Sequence, residues 1–253
     1  MSRFAGRSAL ITGGASGIGL ATARLLAAEG AGELLLIDCD AAGLDAVDLP
    51  CTVRRFCGDV ADESLWGRVE SEAGRLDHAL LNAGIANGCP IVNQSLAEWR
   101  QILSVNLDGM FLALRACLRI MERGGRPGSL VLTSSVAGVK PMPMTSAYGS
   151  SKAGVAHLAR IAAGEMVGKG IRVNAIAPGR VDTPIWTQTD QFKAMAAEFG
   201  SEEAAKAALA SQVTATDRMA SADEIAGQIA FLLSDAAANI TGTVLVSDGG
   251  YSL

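Results

Sequence analysis

Tyr148 and Lys152 stand four residues apart in S-A-Y-G-S-S-K-A-G, inside a helical pattern, so they share one helix face. A tyrosine with an ordinary pKa near ~10 is a poor base at neutral pH, and a neighbouring ammonium favours its phenolate. The pair is read as able to take a proton from an alcohol or to return one to a ketone. A second set lies near the N-terminus. Thr12-Gly13-Gly14-Ala15-Ser16-Gly17-Ile18-Gly19 joins an apolar run to a helical pattern. Glycines there permit a tight turn, and the helix start offers free N–H groups and a partial positive charge to a pyrophosphate. Asp38 follows 19 residues after Gly19, at the end of the next apolar run. An acid at that distance accepts hydrogen bonds from an adenosine ribose 2′-OH and repels a 2′-phosphate. No Lys or Arg occupies Ala15, Ser16, Cys39 or Asp40 to receive such a phosphate, so the spacing predicts NAD, with NADP disfavoured.

These residues need elements to hold them. Short continuous apolar runs predict strands over 8–12, 34–37, 53–57, 76–81, 129–134, 171–176 and 243–247. Helical spacing predicts helices over 17–29, 63–73, 96–122, 147–167 and 221–233, the last opened by Ser221 and Glu224 at capping-box spacing. Apolar strands alternating with helices predict an α/β fold: a doubly wound, mostly parallel seven-stranded sheet of the Rossmann type, with helices on both faces. No linker or repeat divides residues 1–253, which are expected to form one domain. The stretch 182–211 breaks the strand–helix rhythm and follows a strand end, where a segment overlies the ligand crevice; it is expected to be a substrate lid.

Composition removes several classes. Lys and Arg total 21 against 26 Asp and Glu, a net charge of -5 with no basic run, which argues against nucleic acid. No 18-residue apolar stretch predicts a membrane span, and the N-terminus lacks a signal-peptide pattern. Cys39, Cys51, Cys57, Cys89 and Cys117 are odd in number and contain no C-x-x-C, so a reducing compartment, the cytoplasm, is expected. His78 and His157 are the two histidines, too few with these cysteines to build a metal site, and are expected to be ordinary residues, one at a strand start and one on a helix.

Several further motifs stand in fixed order: Gly58-Asp59-Val60, Asn82-Ala83-Gly84, Asn106, Ser135, the Y-G-S-S-K run and P-G-R-V-D-T. With the T-G-G-A-S-G-I-G turn they make the chain resemble, over its whole length, the short-chain dehydrogenase/reductase superfamily. The resemblance implies that Gly13, Gly17 and Gly19, with Ser16 and Ile18, form the cofactor turn. It places Asp38 on the adenosine ribose, Asp59 and Val60 beside the adenine, Asn82 in support of the central strand, and Ala83-Gly84 along the cofactor. It makes Tyr148 the acid/base, Lys152 the ligand of the nicotinamide ribose that also lowers the Tyr148 pKa, and Ser135, rather than its neighbour Ser134, the partner of the substrate oxygen. Asn106 would hold a relay water, and Pro178, Gly179, Val181 and Thr183 the nicotinamide end. The departures are Leu81 where the family often has Asn, and no proline near the start of the 221–233 helix. The implied reaction interconverts a small-molecule secondary alcohol and a ketone; rivals are an NADPH-dependent 3-oxoacyl-thioester reductase and a non-catalytic dinucleotide sensor. The implied assembly is a homotetramer.

Overall fold

The computed structural model describes residues 2–187, 190–210, 216 and 218–253. Seven strands form one sheet in the order β3-β2-β1-β4-β5-β6-β7. They are β1 Ser8–Thr12, β2 Glu33–Asp38, β3 Thr52–Cys57, β4 His78–Leu81, β5 Gly128–Thr133, β6 Ile171–Pro178 and β7 Val244–Ser247. Every pairing is parallel, with Ile11 flanked by Leu36 and Leu80. All residues of β1 and β4 are buried, which is why these strands read as unbroken apolar runs.

Alternation along each strand divides the core between two faces. Leu10, Leu35, Leu81, Leu130 and Leu132 pack with α3 Glu63–Glu72, α5 Gly109–Gly124 and α6 Ser146–Glu165. Ile11, Leu34, Leu36, Leu80 and Val131 pack on the other side with α1 Gly17–Ala28 and α10 Ala222–Leu233. The order reverses between β1 and β4, and the crevice outside their carboxyl ends is where this topology binds ligands.

Four differences from the sequence expectation are informative. The predicted helix 96–122 is α4 Leu96–Leu103 and α5, joined by a π-helical turn at Ser104–Asp108 that holds Asn106. A short helix, α2 Ala41–Asp45, follows β2; Asp40 caps it by accepting from Gly43 N–H, and five residues are too few for periodicity to show. The stretch expected to break the rhythm contains α7 Pro184–Thr187, α8 Asp190–Phe199 and α9 Glu202–Ala210, while Gln188, Thr189 and Ser211 lie outside the described residues. By length and composition 96–124 also meets the requirement for crossing a bilayer, with mean hydropathy 1.2; its apolar face, including Met110, Ala113, Cys117 and Met121, lies in the core.

Both histidines sit where the sequence puts them. His78 opens β4, buried, with Nδ1 2.8 Å from Ser129 Oγ; that hydroxyl donates to Leu233 O, so the ring carries its proton on Nδ1. His157 lies on α6. The Ser221–Glu224 capping box forms as expected, and a second one at Ser95–Glu98 opens α4.

Candidate active site

The glycine turn is fixed by its own backbone. Gly13 and Gly17 have φ of +67° and +52°, and a Cβ on Gly19 would lie 1.9 Å from the Gly13 carbonyl oxygen. At the N-terminus of α1, Ser16 makes no side-chain capping bond, and no acid stands in the first turn. The first-turn N–H groups, including those of Ile18 and Gly19, therefore have neither a local cap nor a local counter-charge. Asp38 closes the turn from β2: its Oδ2 accepts from Ala15 N–H at 3.0 Å and its Oδ1 from Asp40 N–H at 3.1 Å. Asp59 Oδ1 accepts from Ala61 N–H at 2.9 Å, and the buried Val60 accepts from the Trp66 indole at 2.8 Å.

A residue that sequence reasoning passed over ties this turn to β4. The buried Thr12 hydroxyl accepts from both Asn82 and Ala83 N–H, at 2.8 and 3.0 Å. Its one signal was a polar residue ending an apolar strand just before the glycines. The Asn82 amide lies against Gly13, where a Cβ would approach it to 2.9 Å. A Cβ on Gly84, two residues on, would meet Asn106 Oδ1 and Lys152 Nζ, each at 3.2 Å. Asn82-Ala83-Gly84 thus connects the glycine turn to the Tyr–Lys helix.

Lys152 is 3% exposed, its Nζ donates to Thr133 O at 2.8 Å, and it stands 5.8 Å from the Tyr148 ring centroid. Burial lowers its pKa from 10.5 to about 8. Tyr148 is half-buried and hydrogen-bonds Ser135; desolvation pushes its phenol up, opposed by the Ser135 bond. The Lys152 ammonium is directed at the Thr133 carbonyl, and the Ser135 bond pulls the phenol downward. The two serines separate, though not by strand alternation, since β5 ends at Thr133. Ser134 Oγ donates to Lys152 O at 2.7 Å, while Ser135 Oγ faces Tyr148 and accepts from Ala137 N–H at 3.2 Å.

Asn106 is fully buried. Its Oδ1 accepts from Ile85 N–H at 2.8 Å, and its Nδ2 donates to Ile85 O at 2.9 Å and Ser151 Oγ at 3.2 Å. Both amide hydrogens are spent on protein, so this side chain clamps the loop after β4 to α6. Two unanticipated glycines seat α6: a Cβ on Gly138 would lie 2.6 Å from Lys152 C, and one on Gly149 would lie 2.9 Å from Ala137 O.

The last predicted group closes the cleft. Gly179 N–H donates to Ser247 O at 2.9 Å after the end of β6, with Pro178 as that strand's last residue. Val181 is buried and bridges to Ala220, and Thr183 Oγ1 donates to Val181 O at 3.3 Å. A Cβ on Gly17 would contact the Thr183 side chain at 3.4 Å, so the glycine turn and the post-β6 loop face each other directly. Among the described residues no cluster of three or more His, Cys, Asp or Glu is placed to hold a metal.

An uncapped helix start, a glycine cradle with no room for side chains and a ribose-length carboxylate together fit a dinucleotide. Comparison with known proteins agrees. A family model described as enoyl-(acyl carrier protein) reductase matches residues 13–252. The chain is 39% identical over 260 residues to cis-4-hydroxycyclohexanecarboxylate dehydrogenase of Sinomonas cyclohexanicum, covering 98% of both chains. It is 39% identical over 267 residues to levodione reductase of Leifsonia aquatica, covering 99% of this chain and 96% of that one. A crystal structure of levodione reductase superposes with a TM-score of 0.86 at 38% identity, over 98% of each chain. A short-chain type dehydrogenase/reductase from Mycobacterium marinum superposes with a TM-score of 0.85 at 28% identity, over 98% of this chain and 96% of that one.

Proposed function

The chain belongs to the short-chain dehydrogenase/reductase family and interconverts secondary alcohols and ketones with a nicotinamide dinucleotide, and from that premise we propose that NAD is its cofactor, cyclic secondary alcohols its substrates and Tyr148 its proton carrier. The observation that carries the reading is the unbroken run of contacts from Gly13 through Asn82-Ala83-Gly84 to Lys152, which puts Tyr148 and Ser135 at the end of the dinucleotide cradle. The nicotinamide, when bound, supplies or accepts the hydride. The protein moves the proton: Tyr148 Oη exchanges it with the substrate oxygen, and Ser135 Oγ hydrogen-bonds that same oxygen and holds the phenol in place. Lys152 binds the nicotinamide ribose, and Asn106 ties α6 to the loop after β4.

Asp38 supports NAD, because its carboxylate is already pinned by Ala15 and Asp40 N–H groups where a 2′-phosphate would stand. The two relatives act, by their names, on a hydroxycyclohexane and on levodione, which supports a ring-bearing substrate. Exposed Ile91, Val92 and Met144, after β4 and β5, and Ile185 on α7, after β6, supply apolar surface for such a ring. Residues 1–253 act as one domain with 182–211 as its lid. Five free cysteines support a reducing, cytoplasmic setting. Phe111 on α5 and Ile161 on α6 are 47% exposed each, which supports pairing of these helices in a homotetramer.

Cyclohexanols, linear secondary alcohols and a 3-oxoacyl thioester, each offered with NAD(H) and NADP(H), test the reading. NAD-linked turnover of the cyclic alcohols is expected, with a tetrameric mass by light scattering. NADPH-linked thioester reduction alone would transfer the chain to acyl chemistry, and a dead enzyme that still binds NADH would make it a sensor.

A further inference from the structure

We propose that Tyr251 is a positioning residue for the reaction: the turn after β7 clasps the loop that follows Ser135 to the loop that follows β6, and so keeps both in register with Tyr148. The inference deepens the secondary-alcohol reading above and rests on it.

The turn is closed on itself. Gly249 and Gly250 have φ of +63° and +86°, which lets the chain reverse within two residues. Asp248 locks the reversal: its Oδ1 accepts from Gly250 N–H at 2.9 Å and its Oδ2 from Ser252 N–H at 2.8 Å. Tyr251 N–H donates to Asp248 O at 3.2 Å. The Tyr251 ring and carbonyl are therefore presented from a fixed base.

Each arm of the clasp ends on a loop of the site. On one side Lys140 Nζ donates to Tyr251 O at 2.8 Å and stands 4.7 Å from the centroid of the Tyr251 ring. Lys140 is five residues beyond Ser135, and tight turns join the two: Gly138 N–H donates to Ser135 O at 2.9 Å and Lys140 N–H to Val136 O at 2.8 Å. Ser135 in turn hydrogen-bonds Tyr148. On the other side the Arg180 guanidinium lies 5.9 Å from the same ring centroid. Its neighbour Gly179 donates its N–H to Ser247 O at 2.9 Å, and a Cβ there would lie 2.8 Å from Asp248 Cα, so the two backbones touch. Val181 and Thr183, which the proposed reading gives to the nicotinamide end, follow on that loop. One ring thus meets a cation from each loop, and one carbonyl takes the Lys140 ammonium. Cation–ring contacts are weak singly and a hydrogen bond from a charged donor is stronger, so the clasp draws on both.

The test uses the intact enzyme with NAD and cyclohexanol, and follows kcat beside NADH affinity by fluorescence. Tyr251→Ala removes the ring and frees the loops to shift. It is expected to lower kcat by about ten- to a hundredfold, the weight of a displacement near ~1 Å, with NADH affinity within about threefold because the glycine cradle is untouched. Tyr251→Phe keeps the ring and should hold kcat within about twofold of wild type, a rescue that tracks the ring contact. Lys140→Met opens the clasp from the other side without altering the turn and should cost a similar factor. Because both variants break one contact, the double variant should lose little more than the worse single. The proposal is overturned by a Tyr251→Ala kcat near that of wild type, by an equal loss in Tyr251→Phe, by kcat and NADH affinity falling together, or by losses that multiply in the double variant. Any of these beside normal wild-type turnover removes the clasp alone, whereas a wild type that turns over no secondary alcohol removes the alcohol reading and the clasp with it.

Discussion

At the scale of single residues, the proposed function has Tyr148 and Lys152 divide the work of one site, and their variants should divide accordingly. Tyr148→Phe keeps the ring and its packing and removes only the exchangeable proton. It is expected to lower kcat by at least ~10²-fold, the usual yield of general acid–base catalysis, with NADH affinity by fluorescence nearly unchanged. Near-normal turnover would return the search for the proton carrier to Ser135. Lys152 carries a cost as well as a role. Its pKa falls from 10.5 to about 8 on burial, so the folded protein binds fewer protons than the unfolded chain between those values, and stability rises with pH across that window. Lys152→Met should lose turnover and cofactor affinity. In denaturant titrations it should compare more favourably with wild type at pH 7, where the buried ammonium is penalised in full, than at pH 10, where the penalty has largely gone. An identical difference at both values would mean that the ammonium is not destabilised.

The elements show what a sequence can and cannot disclose about such a site. Strands β1 and β4 were legible because burial on both faces leaves no polar alternation, and the position of Asp38 at a strand end beside the glycine turn followed from the strand itself. The π turn at Ser104–Asp108 was not legible: V-N-L-D satisfies helical spacing, and only the Asn106 bonds to Ile85 and Ser151 explain why the helix widens there. Thr12, Gly138 and Gly149 were missed because their roles depend on partners distant in sequence. Helices α8 and α9 were missed because Gly200 and Ser201, which separate them, made one irregular stretch of two short regular ones. Gly138 yields a prediction at this scale. A methyl there would strike the Lys152 backbone at 2.6 Å, so Gly138→Ala must move α6 away from Ser135. A displacement near ~1 Å costs roughly 10²-fold in rate, so kcat should fall at least tenfold while circular dichroism keeps its native helix content. Unaltered kcat would show that α6 is not held at this point.

Across the molecule, stability and function are anchored at different places. His78, far from the Tyr–Lys pair along the sheet, has its pKa lowered from 6.5 to about 4 by burial. Its neutral form supports the fold above pH 6.5, and that support is lost as pH falls towards 4. Denaturant titrations should show wild type losing roughly 2 kcal/mol more between pH 7 and pH 5 than a His78→Gln variant. Equal losses would assign the acid sensitivity to the carboxylates. The cofactor cradle is anchored differently again. Gly19 against the Gly13 carbonyl is a contact of backbone with backbone, and no substitution elsewhere can make room for a side chain at 1.9 Å. Asp38 contributes through one carboxylate at a strand end with partly exposed surroundings. Under mutational drift the two will have opposite histories. In a saturation library position 19 should return glycine alone, while position 38 should return a spectrum of residues graded by the dinucleotide used for selection. On the proposed reading, a lineage built on this fold can exchange its redox currency within a few substitutions and still be unable to alter the turn assigned to the phosphates.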